Sequence, residues 1–412
     1  MSLSVPASRG GIDSSAAWLR LVAALLLCTL GGVGMWSVVV ALPAVQAEFG
    51  VARGAASLPY TLTMLGYATG GVMMGRLADR FGVAWPVAGG ALMLSLGYVA
   101  AGLSQSLWQF TLAQGVLVGF LGGSSTFGPL MADTSLWFQR RRGIAIAICA
   151  SGNYIAGTVW PPVVQHFIAA IGWRQTHIGI GLFCAATMLP LVLFLRRRPP
   201  SSSPAQAARE TTAPLPIPGM SPGALQGLLA TAGLACCVAM AMPQVHIVAY
   251  CGDLGYGVAR GAEMLSLMLG FGVVSRLASG LFADRIGGLR TVLLGSLGQA
   301  LSLCLYFVLD GLTSLYVVSA IFGLVQGGIV PGYAVVVREV FPAREAGTRV
   351  STTLMATIVG MALGGWMSGE IFDLTGSYRA AFANGIPWNV LNAGIVFFLL
   401  LRQQRRRQFA VA

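Results

Sequence analysis

The chain contains no lysine, and its 412 residues carry only 13 acids and three histidines. Without lysine there is no G-x-x-x-x-G-K-[ST] loop to cradle nucleotide phosphates. No H-E-x-x-H or comparable spacing offers a metal site, so the residues support neither an enzyme nor a metal cofactor. The seven cysteines (28, 149, 184, 236, 237, 251 and 304) show no disulfide or metal pattern and read as small apolar packing residues. Charge of either sign is scarce. It amounts to 9% of residues, where a soluble domain carries roughly 25%.

What replaces charge is long apolar sequence, with 56% of residues hydrophobic. Twelve runs stand out: 17–46, 54–77, 83–103, 107–137, 143–168, 175–195, 222–250, 260–283, 290–309, 312–338, 347–370 and 379–401. Each can hold the ~20 residues that cross a bilayer core. The expectation is an all-α membrane protein of twelve transmembrane helices, embedded in lipid. The first run is longer than a signal-peptide core and lacks a clear cleavage site, so it reads as a span.

All 25 basic residues are arginine, and the net charge is +12. Twenty sit on the side of the termini and the even-to-odd loops, as in Arg140-Arg141-Arg142, Arg196-Arg197-Arg198 and Arg405-Arg406-Arg407. Four (Arg53, Arg174, Arg260 and Arg379) lie on the other side, and Arg276 lies inside a span. The positive-inside rule then puts both termini in the cytoplasm of a multi-pass plasma (inner) membrane protein. The basic balance sets topology, and no nucleic-acid partner is expected.

One eight-residue pattern, G-x-x-A-D-R-x-G, occurs twice, 205 positions apart: Gly75-Arg-Leu-Ala-Asp-Arg-Phe-Gly82 and Gly280-Leu-Phe-Ala-Asp-Arg-Ile-Gly287. A second pair of loops, ending at Gly143 and Gly347, repeats at nearly the same offset. Two duplicated loops in so apolar a chain indicate two homologous six-helix halves, 1–196 and 222–412, joined by a Ser/Pro/Ala/Arg-rich linker at 197–221. The small Gly75 and Gly280 are expected to let helices approach closely. Asp79 and Asp284 suit a helix N-terminus, and Arg80 can reach an acid on span four, for which Asp133 is the candidate. With Arg285, these residues form the expected latch on one face.

The repeated loop matches the signature of the major facilitator superfamily between spans two and three and between spans eight and nine. The chain resembles that superfamily over essentially its whole length. The resemblance implies an alternating-access carrier that functions as a monomer. One departure is that the first copy continues Val83-Ala84-Trp85 instead of with basic residues, whereas the second keeps Arg290.

Arg276 is the residue most in need of explanation. A central arginine costs roughly 2.5–3.5 kcal/mol on insertion scales. Its i±3 and i±4 neighbours are Gly272, Val273, Ser279 and Gly280, none of them acidic. Every acid falls in a loop or near a helix end. A substrate carboxylate can supply the missing counter-charge through a bidentate guanidinium fork. The alternative is snorkelling to the nearer face, about 10 Å away.

A span-eight arginine also makes the chain resemble the monocarboxylate transporters and the oxalate:formate antiporter group, where it binds the anion. The stretch from Trp137-Phe138 through Pro161-Pro162 to Gly172-Trp173-Arg174 adds to that likeness, as does Met242-Pro243 with His246 and Tyr250. Three features depart from those groups. Span one has no lysine, Gly272 stands where carriers of the mammalian type have aspartate, and span eleven lacks the second cation of oxalate carriers. One deep cation matches one carboxylate, so lactate- or pyruvate-like monoacids are favoured, by proton symport. A proton is the expected coupling ion, and no other cofactor is expected.

Further candidates for the substrate site are His246, Tyr250, Asn153, Tyr154, Tyr333 and Trp36. Pro161-Pro162, Pro243 and Pro331 are expected to kink helices. Anion exchange fits the same residues. A drug/proton antiporter fits less well, because span five has Gly157-Thr-Val-Trp-Pro161 instead of a G-P pair. A sensor that does not translocate would carry a large additional soluble domain.

Overall fold

The computed structural model describes residues 11–138, 141–197 and 219–411. The expected linker falls largely outside them, and so does the side chain of Asp284. Twelve long helices run through the described residues. They are α1 (Ser15–Phe49), α2 (Arg53–Phe81), α3 (Ala84–Leu103), α4 (Leu107–Trp137), α5 (Arg142–Ile171), α6 (Trp173–Leu195), α7 (Pro222–Asp253), α8 (Val258–Ile286), α9 (Gly288–Val308), α10 (Leu312–Val340), α11 (Ala343–Thr375) and α12 (Tyr378–Val411). Eleven contain a stretch long and apolar enough to cross a membrane. The remaining one, α2, has 29 residues, ample length, but more polar side chains. Helices satisfy their own backbone polar groups, as a hydrocarbon surround requires.

Local chemistry sets the helix ends. The Ser14 hydroxyl accepts from the Ala17 N–H at the start of α1, and Ser221 accepts from Ala224 at the start of α7. The last glycine of each repeated loop, Gly82 and Gly287, has φ of 88° and 87°, a backbone region that side chains other than glycine's rarely adopt. The two loops therefore share one turn because they share one glycine.

Breaks also recur. In α4 a π-helical stretch, Ala113–Gly122, leads into a 3-10 turn at Gly123–Thr126. In α10 the helix is interrupted at Gly327 and Gly328, 205 residues after Gly122 and Gly123. That break lies just before Pro331, whereas α5 and α7 stay continuous through Pro161, Pro162 and Pro243.

Arg20, the two repeated loops and the ends of α6 and α12 lie on one face, here called the repeat face. From the opposite face to mid-depth, the first six helices meet the last six along two seams. On the α2–α11 seam, Thr61 donates to the Ala362 carbonyl, and a Cβ on Gly54 would strike Glu370 at 2.3 Å. On the α5–α8 seam, a Cβ on Gly157 would strike Leu269 at 2.2 Å. Large apolar side chains such as Leu182, Leu281 and Leu294 are exposed, as a lipid-facing surface allows.

Candidate substrate-anchoring site

Arg276 stands ten residues before the end of α8, on the α5–α8 seam. It does not snorkel. Its Nη1 donates to the Ala150 carbonyl on α5 at 3.0 Å, and Nε reaches the Gly327 carbonyl at the α10 break at 3.4 Å. The guanidinium lies over the Tyr154 ring, 4.1 Å from its centroid. No carboxylate is paired with it among the described residues. A desolvated cation–π contact is worth about 2 kcal/mol, and a charge-assisted hydrogen bond about 1.5–3 kcal/mol. Together they offset the insertion cost while the positive charge remains.

Gly272 explains how the ring fits. A Cβ there would lie 2.5 Å from Cε1 of Tyr154. Where carriers of the mammalian monocarboxylate type have an aspartate, this chain has the space that Tyr154 fills. Trp36 of α1 completes the corner, with Nε1 shared between the backbone and side-chain oxygens of Asn153 at 3.2 and 3.3 Å. Trp36, Asn153, Tyr154 and Arg276 are thus brought together from α1, α5 and α8.

The other candidates lie elsewhere. His246 is fully buried, with Nε2 2.8 Å from the Gly365 carbonyl and Nδ1 3.4 Å from the Tyr378 hydroxyl. Tyr250 packs edge-on against Tyr378 and Phe382. Tyr333 is fully buried and donates to Asn392 of α12, which in turn donates to Ser296 of α9. These three side chains are held in helix packing, away from the Arg276 corner.

The expected latch differs in two ways. Asp133 does not pair with Arg80. It takes a two-pronged contact from Arg20 of α1, at 2.8 and 3.0 Å, because Arg20 enters the same interior as Asp133 while Arg80 stays exposed over the Phe81 ring. Gly75 and Gly280 are not close-approach points, since a Cβ on either would meet nothing within 4 Å. Close approach occurs higher on the same helices. A Cβ on Gly70 of α2 would lie 2.1 Å from the Phe120 carbonyl, and one on Gly327 of α10 would lie 2.3 Å from the Gly272 carbonyl of α8. Asp79, Arg80 and Arg285 are exposed in the last turns of α2 and α8.

Sequence reasoning missed a second cluster, around Arg53 at the start of α2. Its backbone N–H and that of Gly54 donate to Asp373 of α11, at 2.8 and 2.6 Å. Its guanidinium donates to the Tyr378 hydroxyl at 2.5 Å and pairs with Asp253 of α7 at 3.1 Å. One buried arginine thus ties the first six helices to three of the last six on the face opposite the repeats. A hint existed, since Arg53 is one of only four arginines on that side.

The Major Facilitator Superfamily model matches residues 24–313 and again 253–411, nearly the whole chain. The chain belongs to the major facilitator superfamily. Among its relatives in the superfamily, monocarboxylate transporter 13 of Bos taurus is 28% identical over 340 residues, 78% of this chain and 75% of that one. MFS transporter asaE of Aspergillus flavus is 24% identical over 308 residues, 74% of this chain and 68% of that one. A solved structure described as a bacterial homolog of the human lysosomal transporter Spinster, inward-facing and occupied, superposes with a TM-score of 0.66. It does so at 16% identity over 93% of this chain and 94% of that one. The shared fold is that of a multi-pass membrane transporter for small molecules.

Proposed function

We propose that this superfamily member carries small monocarboxylates of the lactate or pyruvate class by alternating access, with Arg276 as the anion anchor. The observation that carries the reading is the Arg276 guanidinium. It is drawn inward onto two backbone carbonyls and the Tyr154 ring, with no paired carboxylate among the described residues. Its charge calls for a mobile counter-ion, and a carboxylate offers the matching two-oxygen fork. The 28% identity to monocarboxylate transporter 13 supports the same substrate class.

Coupling is assigned to proton symport. The arginine distribution supports an inner-membrane orientation with both termini cytoplasmic, and the unit of function is taken as a monomer. Anion exchange is the second reading, favoured by the lack of an acid on the helix turns flanking Arg276.

Uptake of labelled lactate into proteoliposomes tests both readings. Arg276→Ala is expected to abolish saturable uptake, and uptake at normal affinity would sink the anchor. An imposed inward proton gradient is expected to drive accumulation. Acceleration only in vesicles preloaded with a second carboxylate would establish exchange instead. Competition by mono-, di- and aromatic acids sets the substrate class.

A further inference from the structure

A cavity of about 840 Å³ opens on the repeat face among α1, α2, α3, α4 and α6, and Arg276 is not part of its lining. Four arginines (20, 80, 196 and 197) line it against two acids, Asp79 and Asp133. Arg20 and Asp133 neutralise each other in a buried pair. Arg80, Arg196 and Arg197 have no carboxylate partner among the described residues, so the cavity keeps an excess of positive charge.

The last six helices show what the corresponding place holds when it is filled. At the start of α9, Glu339 accepts from the Gly288 N–H at 2.9 Å, placing a carboxylate on the helix N-terminus. The matching cavity there is only about 140 Å³. Gly287 matches Gly82, 205 residues earlier, and Phe341, which follows α10, matches Phe138, which follows α4, 203 residues earlier. By the second register the counterpart of Glu339 is Leu136, which lines the larger cavity. The first six helices therefore have an apolar side chain where the last six have the Glu339 carboxylate. No side chain caps α3, and Val83, which precedes it, borders the cavity with its first residues, Ala84 and Trp85. The rim is apolar and outward-facing, with Trp85 72% exposed and Leu136 and Leu193 about half exposed.

We propose that this cavity binds the phosphate of an anionic phospholipid headgroup, in the position that Glu339 occupies in the other half. The cations and the open N-terminus of α3 recognise the phosphate, and the exposed apolar rim takes the upper acyl chains. The rim favours a lipid over free phosphate.

Native mass spectrometry of the full chain in non-ionic detergent tests this, with phosphatidylglycerol, phosphatidylcholine and inorganic phosphate as separate probes. One phosphatidylglycerol is expected to be retained in preference to phosphatidylcholine. Arg196→Gln combined with Arg197→Gln should weaken it, by about five-fold per arginine. Leu136→Glu, which copies the internal carboxylate of the other half, should weaken it about ten-fold or more. Thermal unfolding of each variant within a few degrees of the parent chain shows that the fold is intact. Equal retention of the two lipids, or unchanged phosphatidylglycerol affinity in both variants, overturns the proposal. Inorganic phosphate bound without any lipid preference overturns the assignment to a lipid.

Discussion

The Arg276 guanidinium rests 4.1 Å from the centroid of the Tyr154 ring, and the ring has room there because Gly272, one turn earlier on the same helix, has no side chain. A cation usually balanced by an acid is here supported by a π face and two carbonyl dipoles. These partners lower the cost of burial without cancelling the charge.

Gly272→Asp should therefore be harmful, although it recreates the pattern of the mammalian carriers. Its Cβ would lie 2.5 Å from the Tyr154 ring. Overpacking of this kind costs about 1–3 kcal/mol. Thermal unfolding in detergent should fall for the single variant and recover when Tyr154→Ala is added. An unchanged midpoint for Gly272→Asp alone would contradict this account of the corner.

Tyr154→Phe should preserve the cation–π contact, and Tyr154→Leu should lose about 0.5–2 kcal/mol of it. Uptake affinity separates the two, with the phenylalanine variant close to the parent and the leucine variant weaker. Equal loss in both would shift the role from the ring to the hydroxyl.

Arg53→Gln should loosen the face opposite the repeats, because it removes the contacts to Tyr378 and Asp253. Ser57 lies one turn deeper and is fully buried against Gly369. A cysteine placed there should react with a membrane-impermeant maleimide roughly ten-fold faster in the Arg53→Gln background, given about 1.5–3 kcal/mol for a charged hydrogen bond. An unchanged labelling rate would mean that the seam is held without the Arg53 guanidinium.

Removing Arg20 alone should cost about 3–5 kcal/mol, because Asp133 is left buried and unpaired. Arg20→Met combined with Asp133→Leu should cost much less, since both charges go together. Unfolding midpoints of the single and double variants measure the difference, and additive losses would refute direct coupling.

His246→Asn should leave the pH dependence of uptake unchanged while lowering stability. The ring is fully buried and bonded to the Gly365 carbonyl within the packing of α7 and α11. A displaced pH profile would return His246 to the transport cycle.

The helical membrane class and the internal repeat could be read from the chain because both rest on local information. Span length is a count of consecutive apolar residues, and the repeat is a match of residue types at a fixed offset. The turn at Gly82 and Gly287 is likewise local, since φ near +88° needs no partner to specify it. Superfamily membership follows from these same features. Arg276 was also visible, as an arginine among small residues with no acid one turn away.

Lateral contacts were decided by tertiary structure. Asp133 has Arg20 and Arg80 within the same part of the chain, and no spacing rule selects between them. The choice follows from which helix face turns inward, and α1 presents Arg20 to α4. His246 and Tyr250 fall within one turn of each other in a span and read as cavity residues, yet α11 and α12 pack over them. Arg53 reads in the sequence as a loop charge, yet the end of α7, the end of α11 and the start of α12 converge on it. By itself the sequence determined the number, length and duplication of the helices and marked out Arg276 among small residues. Only the tertiary structure decided which side chains meet, because a contact between helices depends on the rotation and depth of both, and neither is encoded in the spacing along one.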